Sequence, residues 1–409
     1  MNPILPRKYF TPDAEAHPMP DGRLYIYGSN DKSGANYYCS TQYLVYSTDN
    51  ENLEDWKVHG VSFDNSADRA DAGWAPGNIL YAPDAICKDG RYYLYLCTQS
   101  QTEGVAVSDK PFGPFTDAVQ IKDITGIDPA IFVDDDGQAY YLWGQFSLNG
   151  ARLNPDMRTL EKGSTVHNIL TEQEHGFHEG SSLRKINGRY YLVYTDISRG
   201  RATCLSYAVA DKPLGPYRKG GVIIDNTGCD PQTWNNHGSI TEYKGRYYVF
   251  YHRSTQNSRY SRRVCVEPIK INEDGSIDEV PMTSNGASAP INAFDTIDAS
   301  VACRMSRDVY IHPSEDGKEV VGCTESGRFG SGWAEYRYID FPSAAEKCTV
   351  FSGGSGSIGL MADGKGEIGR GEISEGKCVI RLTEKITGRR VIWLLISGKD
   401  IELRNFRFG

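Results

Sequence analysis

The stretch DGRYYLYLCT, residues 89–98, decides the fold of this chain. It joins a turn dipeptide ending in glycine to a run of alternating aromatic and aliphatic residues, which is typical of a β-strand leaving a tight turn. The same pattern recurs four times, as DGRLYIYGS (21–29), DGQAYYLWG (136–144), NGRYYLVYT (187–195) and KGRYYVFYH (244–252). Five copies predict five strand-rich units of related structure.

A second repeated element supports this interpretation. EGVAVSDKPFGPF (103–115) and CLSYAVADKPLGPY (204–217) are near copies, and each follows one of the first elements. Helical periodicity is almost absent, and strand-rich repeats are typical of propeller blades. We therefore predict an all-β chain with a five-bladed β-propeller over residues 1–285. A β-sandwich with coincidental Tyr-Tyr pairs is less favoured, because the second element repeats as well.

The pattern stops at TSNGASAPIN (283–292), which has the composition of a linker. Residues 291–409 again contain short strand-like runs, such as RVIWLLISG (390–398). About 120 residues of this kind predict a second domain, a β-sandwich of the jelly-roll type.

Charge and hydropathy narrow the classes of function. The chain has 53 acidic and 44 basic residues and a net charge of −9, which argues against nucleic acid or an anionic membrane as a partner. No run of 18 apolar residues is present, so we expect no membrane span. The start, MNPILPRKYF, has no apolar signal-peptide core. We expect a cytoplasmic protein, or a secreted one if a leader has been removed.

The ten cysteines contain no C-x-x-C pair, and several lie inside apolar strand-like runs. This distribution favours buried free thiols in a reducing compartment over a metal cluster or a dense disulfide framework.

Acidic residues occur just before or beside the repeated strands, where the fold does not require them: Asp13, Asp84, Asp128 and Glu179. In a propeller, the segment that enters each innermost strand points at the central axis, so acids from different blades would converge on one pocket. Like charges raise one another's pKa, and this can keep one carboxyl protonated at neutral pH. The run 134–136 differs, because Asp-Gly makes a hairpin turn and the later Glu of a calcium loop is missing.

Five segments carry a resemblance to a known family: PDAEAHPMPDGRLYIYGSND (12–31), YAPDAICKDGRYYLY (81–95), GIDPAIFVDDDGQAYYLWG (126–144), HEGSSLRKINGRYYLVYT (178–195) and NNHGSITEYKGRYYVFYH (235–252). They resemble, in order, the blade motifs of glycoside hydrolase family 43. The resemblance implies a five-bladed propeller of inverting exo-glycosidases and arabinanases that act on plant cell-wall polysaccharides. An inverting enzyme needs one carboxylate to activate water and one protonated carboxyl on the opposite face.

The resemblance also implies roles for individual residues. Asp13 resembles the general base, Glu179 the general acid, and Asp128 the acid that tunes the pKa of the general acid and orients it. The base lies in PDAEA where relatives commonly show Asp-Pro, which keeps Glu15 as a rival. His237 resembles the histidine that holds a cation, calcium or sodium, on the propeller axis, directly or through waters. The alternative for this residue is a structural hydrogen bond, and no organic cofactor is expected.

Further residues are candidates for contact with sugar. Arg262 or Arg263 resembles a substrate-contacting arginine, and Arg262 is favoured. Trp74 and Trp143 are candidate platforms for stacking sugars, with core packing as the alternative for both.

The C-terminal segments GWAEYRYIDFP (332–342) and DIELRNFRFG (400–409) resemble carbohydrate-binding module family 6. DASVACR (298–304) stands where that family has an Ala-Glu pair, and SEGKCVIRLTEKITGRR (374–390) replaces a tryptophan-rich stretch. We therefore expect this domain to bind sugar weakly or not at all.

The expected function is release of α-L-arabinofuranose, and also β-D-xylose, from arabinoxylan-type oligosaccharides. An arabinanase, a galactan-acting relative and a non-catalytic sugar-binding propeller are the alternatives.

Overall fold

The computed structural model describes residues 1–69, 74–306, 308–323 and 329–409, except for the side chain of Phe329. Within these ranges the regular secondary structure is almost entirely β-strand, with one turn of α-helix (α1, Glu172–His175) and one 3₁₀ turn (Ala299–Val301). None of the helices described has the length and apolar character needed to cross a membrane.

The first part of the chain forms five antiparallel sheets, the blades of a propeller. Blade I has β1 (Glu15–Pro18), β2 (Leu24–Gly28), β3 (Gln42–Thr48) and β4 (Lys57–Asp64). Blade II has β5 (Asp84–Lys88), β6 (Arg91–Cys97), β7 (Glu103–Ser108) and β8 (Thr116–Gln120). Blade III has β9 (Ala130–Val133), β10 (Ala139–Trp143), β11 (Ser147–Arg152) and β12 (Val166–Thr171). Blade IV has β13 (Phe177–Ile186), β14 (Arg189–Asp196), β15 (Cys204–Ala210) and β16 (Arg218–Asp225). Blade V has β17 (Ser239–Tyr243), β18 (Arg246–Thr255) and β19 (Ser258–Ile269).

The five repeated segments all become the second strand of a blade: β2, β6, β10, β14 and β18. The near copies at 103–115 and 204–217 supply the third strands β7 and β15. The prediction of a five-bladed propeller is therefore confirmed.

The ring of blades closes between its first and last members. The innermost strands contact one another in the order β1, β5, β9, β13, β17, and β17 contacts β1. The N-terminal segment lies along the free edge of β19, where Ile4 N donates to Val264 O at 3.2 Å. Beside it, the Asn2 side chain both donates to and accepts from the backbone of Val266. These bonds tie the start of the propeller to its last strand.

Several of the 26 tyrosines lie at the junctions between blades. Tyr27 and Tyr95 are fully buried, and their hydroxyls donate to the backbone oxygens of Pro111 and Met157 in the next blade. A tyrosine ring packs in the apolar layer between blades, while its polar tip bonds across the junction.

The C-terminal part is a second all-β unit, as predicted. Its strands are β20 (Ile291–Asn292), β21 (Ile297–Asp298), β22 (Arg304–Met305), β23 (Val309–Pro313), β24 (Glu319–Cys323), β25 (Phe329–Ala362), β26 (Glu367–Ser374) and β27 (Lys377–Phe408). The long strands β25 and β27 bend and pair twice, so that Cys348 faces both Phe408 and Ile380. The folded sheet encloses an apolar core of its own.

Hydrogen bonds join the two parts of the chain. Gln256 N donates to Ile311 O at 2.8 Å, and Met305 N donates to Gly228 O at 2.7 Å. The last propeller strand ends at Ile269, and the domain boundary at residue 285 stays a prediction.

All ten cysteines lie in the described ranges, and all are free thiols, eight of them buried. The prediction of free thiols is confirmed.

Candidate active site

A cavity of about 340 Å³ opens at the end of the propeller where the innermost strands begin. Each blade contributes a residue from near the start of its innermost strand: Asp13, Tyr81, Asp128, Glu179 and His237. Three of the four acids singled out from the sequence therefore meet in one cavity, although they are far apart along the chain.

Asp13 and Asp128 share an unusual backbone conformation. Each comes two residues before its innermost strand, and each has a positive φ, 57° and 58°. Aspartate tolerates this left-handed region better than most residues, but the conformation persists only where the surroundings enforce it. Strained residues of this kind cluster at functional sites.

Charged partners surround the carboxylate of Asp13. Arg262 Nη1 donates to Asp13 Oδ1 at 3.1 Å, and Ser29 Oγ donates to Oδ2 at 2.6 Å. His252 Nδ1 lies 3.3 Å from Oδ1. Burial by itself would raise the pKa of Asp13, but the guanidinium of Arg262, followed by His252 and His237, holds it well below its usual range. Asp13 is therefore a carboxylate at neutral pH.

Two amides hold the carboxylate of Glu179. Gln145 Nε2 donates to Oε2 at 2.8 Å, and Asn235 Nδ2 donates to Oε1 at 3.1 Å. Nearby, burial raises the pKa of Asp128 well above its usual range, and the negative charges of Glu179 and Asp13 raise it further. Asp128 therefore retains its proton at a pH where Asp13 has lost its own.

His237 lies between the two sides. Its Nδ1 is 3.9 Å from Asp13 Oδ1 and 3.7 Å from Asp128 Oδ2. Burial lowers the pKa of His237, so the imidazole is neutral, which is the form that binds a cation. The close approach of β13 requires glycine at position 180, where a Cβ would come within 2.8 Å of the imidazole and φ is +66°.

The two neighbouring arginines point in different directions. Arg262 lines the cavity, and besides Asp13 it binds the buried Asp31 through Nε at 3.0 Å and Nη2 at 2.9 Å. Arg263 instead contacts Glu319 of the C-terminal part. The geometry therefore favours Arg262 as the residue of the pair that belongs to the site.

Comparison with known proteins identifies the family. The model of glycosyl hydrolases family 43 matches residues 1–277. The chain belongs to this family. A xylosidase/arabinosidase of Thermoclostridium stercorarium is 33% identical over 351 residues, which cover 74% of this chain and 72% of the relative.

Solved structures agree with this assignment. A β-xylosidase/α-arabinofuranosidase from a compost microbial metagenome, solved with xylotriose in a calcium-free form, is 30% identical, with a TM-score of 0.59. The matched part is 68% of this chain and 96% of the chain in that structure. An arabinoxylan arabinofuranohydrolase of Bacillus subtilis is 21% identical, with a TM-score of 0.57. The matched part is 100% of this chain and 97% of the chain in that structure. This second likeness extends the shared fold to both parts of the chain.

Two tryptophans of this family 43 glycoside hydrolase lie away from the lining of the cavity. Trp74 packs on Gly104, where a Cβ would come within 2.0 Å of the indole, and its Nε1 donates to Thr102 Oγ1 at 3.1 Å. Trp143 is buried and stacks on Tyr141 with 5.9 Å between ring centroids. These contacts fit the alternative of core packing.

Trp234 lines the cavity but is not among the residues predicted from the sequence. A signal was available, because Trp234 directly precedes the NNHG motif that contains His237.

The expectation that Asp84 joins the same pocket is wrong. Asp84 is the first residue of β5 and Glu15 the first of β1, so both lie further along the axis than Asp13. There they form a second, buried cluster with His17, whose Nε2 is 2.7 Å from Asp84 Oδ1 and 3.7 Å from Glu15 Oε2. Arg184 Nη2 donates to Glu15 Oε2 at 2.8 Å.

The ligand atoms of Glu15, His17 and Asp84 lie close enough together to hold a metal ion. The guanidinium of Arg184 already supplies a positive charge there. The position of Glu15 also removes it from the cavity where a base must act.

Proposed function

We propose that the chain is an inverting exo-glycosidase that releases α-L-arabinofuranose and β-D-xylose from arabinoxylan-type oligosaccharides. The observation that carries this proposal is the meeting of three acids in one cavity, where Asp13 is held ionised, Asp128 favours its protonated form and two amides hold Glu179. Two carboxyl groups in opposite protonation states are what a direct displacement by water requires. The names of the relatives, which include xylosidase/arabinosidase, support the choice of sugars.

In the proposed reaction, a water molecule attacks the anomeric carbon through its oxygen, and Asp13 accepts a proton from that water. Glu179 donates a proton to the glycosidic oxygen, and the bond between that oxygen and the anomeric carbon breaks. Asp128 orients Glu179 for this transfer, while Arg262 keeps Asp13 ionised. The products are a sugar of inverted configuration and the shortened oligosaccharide. Before the next cycle, Asp13 releases its proton to solvent and Glu179 takes one up from solvent.

The size of the cavity favours an exo mode. About 340 Å³ is near the lower end of the range of ~300–1,000 Å³ for ligand sites. A space of this size suits a terminal sugar better than an internal stretch of polymer.

A cation near His237 is also part of the proposal. The neutral imidazole of His237 can hold calcium or sodium, directly or through waters, and the ionised carboxylate of Asp13 supplies negative charge and oxygen ligands beside it. A bound cation would supply positive charge close to the reacting groups.

Hydrolysis of a panel of nitrophenyl α-L-arabinofuranoside, β-D-xyloside and β-D-galactoside tests the choice of sugar. NMR of the first product formed tests the stereochemistry, and we expect inversion. Retention would contradict the assignment of Asp13 as base. Activity on the galactoside alone would favour a galactan-acting enzyme, and activity on none of the three would favour a sugar-binding propeller.

A further inference from the structure

Three aromatic side chains stand out on the described surface because more than a third of each is exposed: Tyr37 (41%), Phe146 (51%) and Trp234 (40%). Two of them lie at the cavity: Trp234 lines it, and the ring of Phe146 packs against the lining residue His178. Tyr37 is not among the residues that line it. Exposed apolar surface gathered at one place marks a binding surface.

Two of these rings are coupled to Glu179 in the same way. Trp234 is the chain neighbour of Asn235, and Phe146 is the chain neighbour of Gln145. Asn235 and Gln145 are the two amides that donate to the Glu179 carboxylate. The rings are therefore positioned by the same short segments that position Glu179.

Local contacts hold both rings at the mouth of the cavity. The Arg259 guanidinium lies 5.3 Å from the centre of the Trp234 ring. The Phe146 ring packs edge-on against His178 at 5.1 Å, and Phe146 N donates to His178 O at 2.7 Å. Phe146 also has a φ of +63°, which is rare for a bulky residue and is retained at functional sites.

We propose that Trp234 and Phe146 form the binding surface for the leaving group, the part of the substrate that departs with the protonated oxygen. The proposal rests on the proposed function, in which Glu179 protonates that oxygen. Because the leaving group is attached to the oxygen that Glu179 reaches, it must lie on the Glu179 side of the cavity. Flat aromatic faces bind the apolar faces of sugar rings, so the preferred leaving group is a pyranose chain such as a xylo-oligosaccharide.

The test compares two substrates that need the general acid equally. Xylotriose and methyl β-D-xyloside both have an alkoxide-type leaving group, but only xylotriose places a sugar ring against the aromatic surface. We expect Trp234→Ala to lower kcat/KM for xylotriose by about tenfold, which corresponds to about 1.4 kcal/mol, and to change that for the methyl glycoside by less than about twofold. Phe146→Ala should act in the same direction, and Trp234→Phe should retain most of the activity.

Tyr37→Ala is the matched control, because it removes an equally exposed ring that is not next to a partner of Glu179. It should leave the ratio of the two kcat/KM values at that of the wild type. Equal losses on xylotriose and the methyl glycoside in Trp234→Ala would overturn the proposal, since the ring would then act through Asn235 and Glu179. If the wild type hydrolyses neither xylosides nor arabinofuranosides of any kind, the proposed function fails, and this proposal fails with it.

Discussion

The buried cluster of Glu15, His17 and Asp84 should give the protein a pH-dependent stability that one substitution removes. Burial, followed by the charge of Asp84, raises the pKa of Glu15 from 4.5 to about 7. Burial also raises the pKa of Asp84 from 3.8 to about 7 and lowers the pKa of His17 from 6.5 to about 3. Each of the three groups has a different pKa in the folded and the unfolded chain. Each therefore makes the free energy of unfolding depend on pH.

The signs of these slopes differ. For Glu15 and Asp84 the fold favours the protonated form, so their contribution is present at low pH and is lost as the pH rises to about 7. For His17 the fold favours the neutral form, so its contribution is lost as the pH falls from 6.5 toward 3. Between pH 4.5 and 6.5 each group changes the free energy of unfolding by about 1.4 kcal/mol per pH unit. As the pH rises, the gain in the free energy of unfolding from His17 then cancels the loss from one acid. The loss from the other acid remains.

Glu15→Gln keeps the shape of the side chain and removes one of the two acids. The free energy of unfolding of the variant, relative to the wild type, should therefore rise by about 3 kcal/mol between pH 4.5 and 6.5. Urea unfolding at several pH values, followed by tryptophan fluorescence, measures this difference. Groups elsewhere in the chain cancel in the comparison, because both proteins contain them.

Glu161→Gln provides a control at the surface. A hydrogen bond from Arg152 lowers the pKa of Glu161, so this substitution should not change the slope between pH 4.5 and 6.5. Parallel curves for Glu15→Gln and the wild type would refute the reasoning, because they would show that the cluster takes up no extra proton on folding.

Three further predictions concern the site and the second domain. Glu179→Ala should lower kcat/KM for oligosaccharides by a factor of about 10²–10⁴. For nitrophenyl glycosides the loss should be far smaller, because a nitrophenolate departs with little protonation. Asp13→Ala should lower kcat/KM strongly for both kinds of substrate, and near-normal turnover would exclude Asp13 as the base. Chelation should lower the activity of the wild type and added calcium should restore it, whereas His237→Ala should not respond; a response equal to that of the wild type would place the cation elsewhere. Calorimetric titration of residues 291–409 with xylo- and arabino-oligosaccharides should show weak binding or none, and tight saturable binding would contradict the prediction.

The sequence was sufficient for the parts of the structure that depend on local pattern. A glycine turn followed by an alternating aromatic strand is a local signal, and all five copies became second strands of blades. The positions of Asp13, Asp128 and Glu179 follow from this register together with the family resemblance. The five-bladed propeller and the meeting of the acids could therefore be predicted.

The depth of a side chain along the propeller axis, and whether it is exposed to solvent, could not be predicted from local sequence. Asp13 and Glu15 are two residues apart, which is about 7 Å along a strand, and this step separates the cavity from the buried cluster. Local sequence likewise does not distinguish Trp143, buried against Tyr141, from Trp234 at the mouth. Packing between blades decides which ring faces solvent, and that depends on residues distant in sequence.

The different roles of the two carboxylates can be traced to the placement of one arginine. Asp31 accepts from Nε, Nη2 and the backbone N of Arg262 and so fixes the guanidinium beside Asp13. Glu179 receives neutral amide donors instead, and burial, followed by the charge of Glu179, raises the pKa of the neighbouring Asp128. The same chemical group is therefore a carboxylate at Asp13 and keeps its proton at Asp128. It follows that Asp31, which is not a residue of the cavity lining, is a positioning residue for the proposed base Asp13, because it determines where the charge of Arg262 lies.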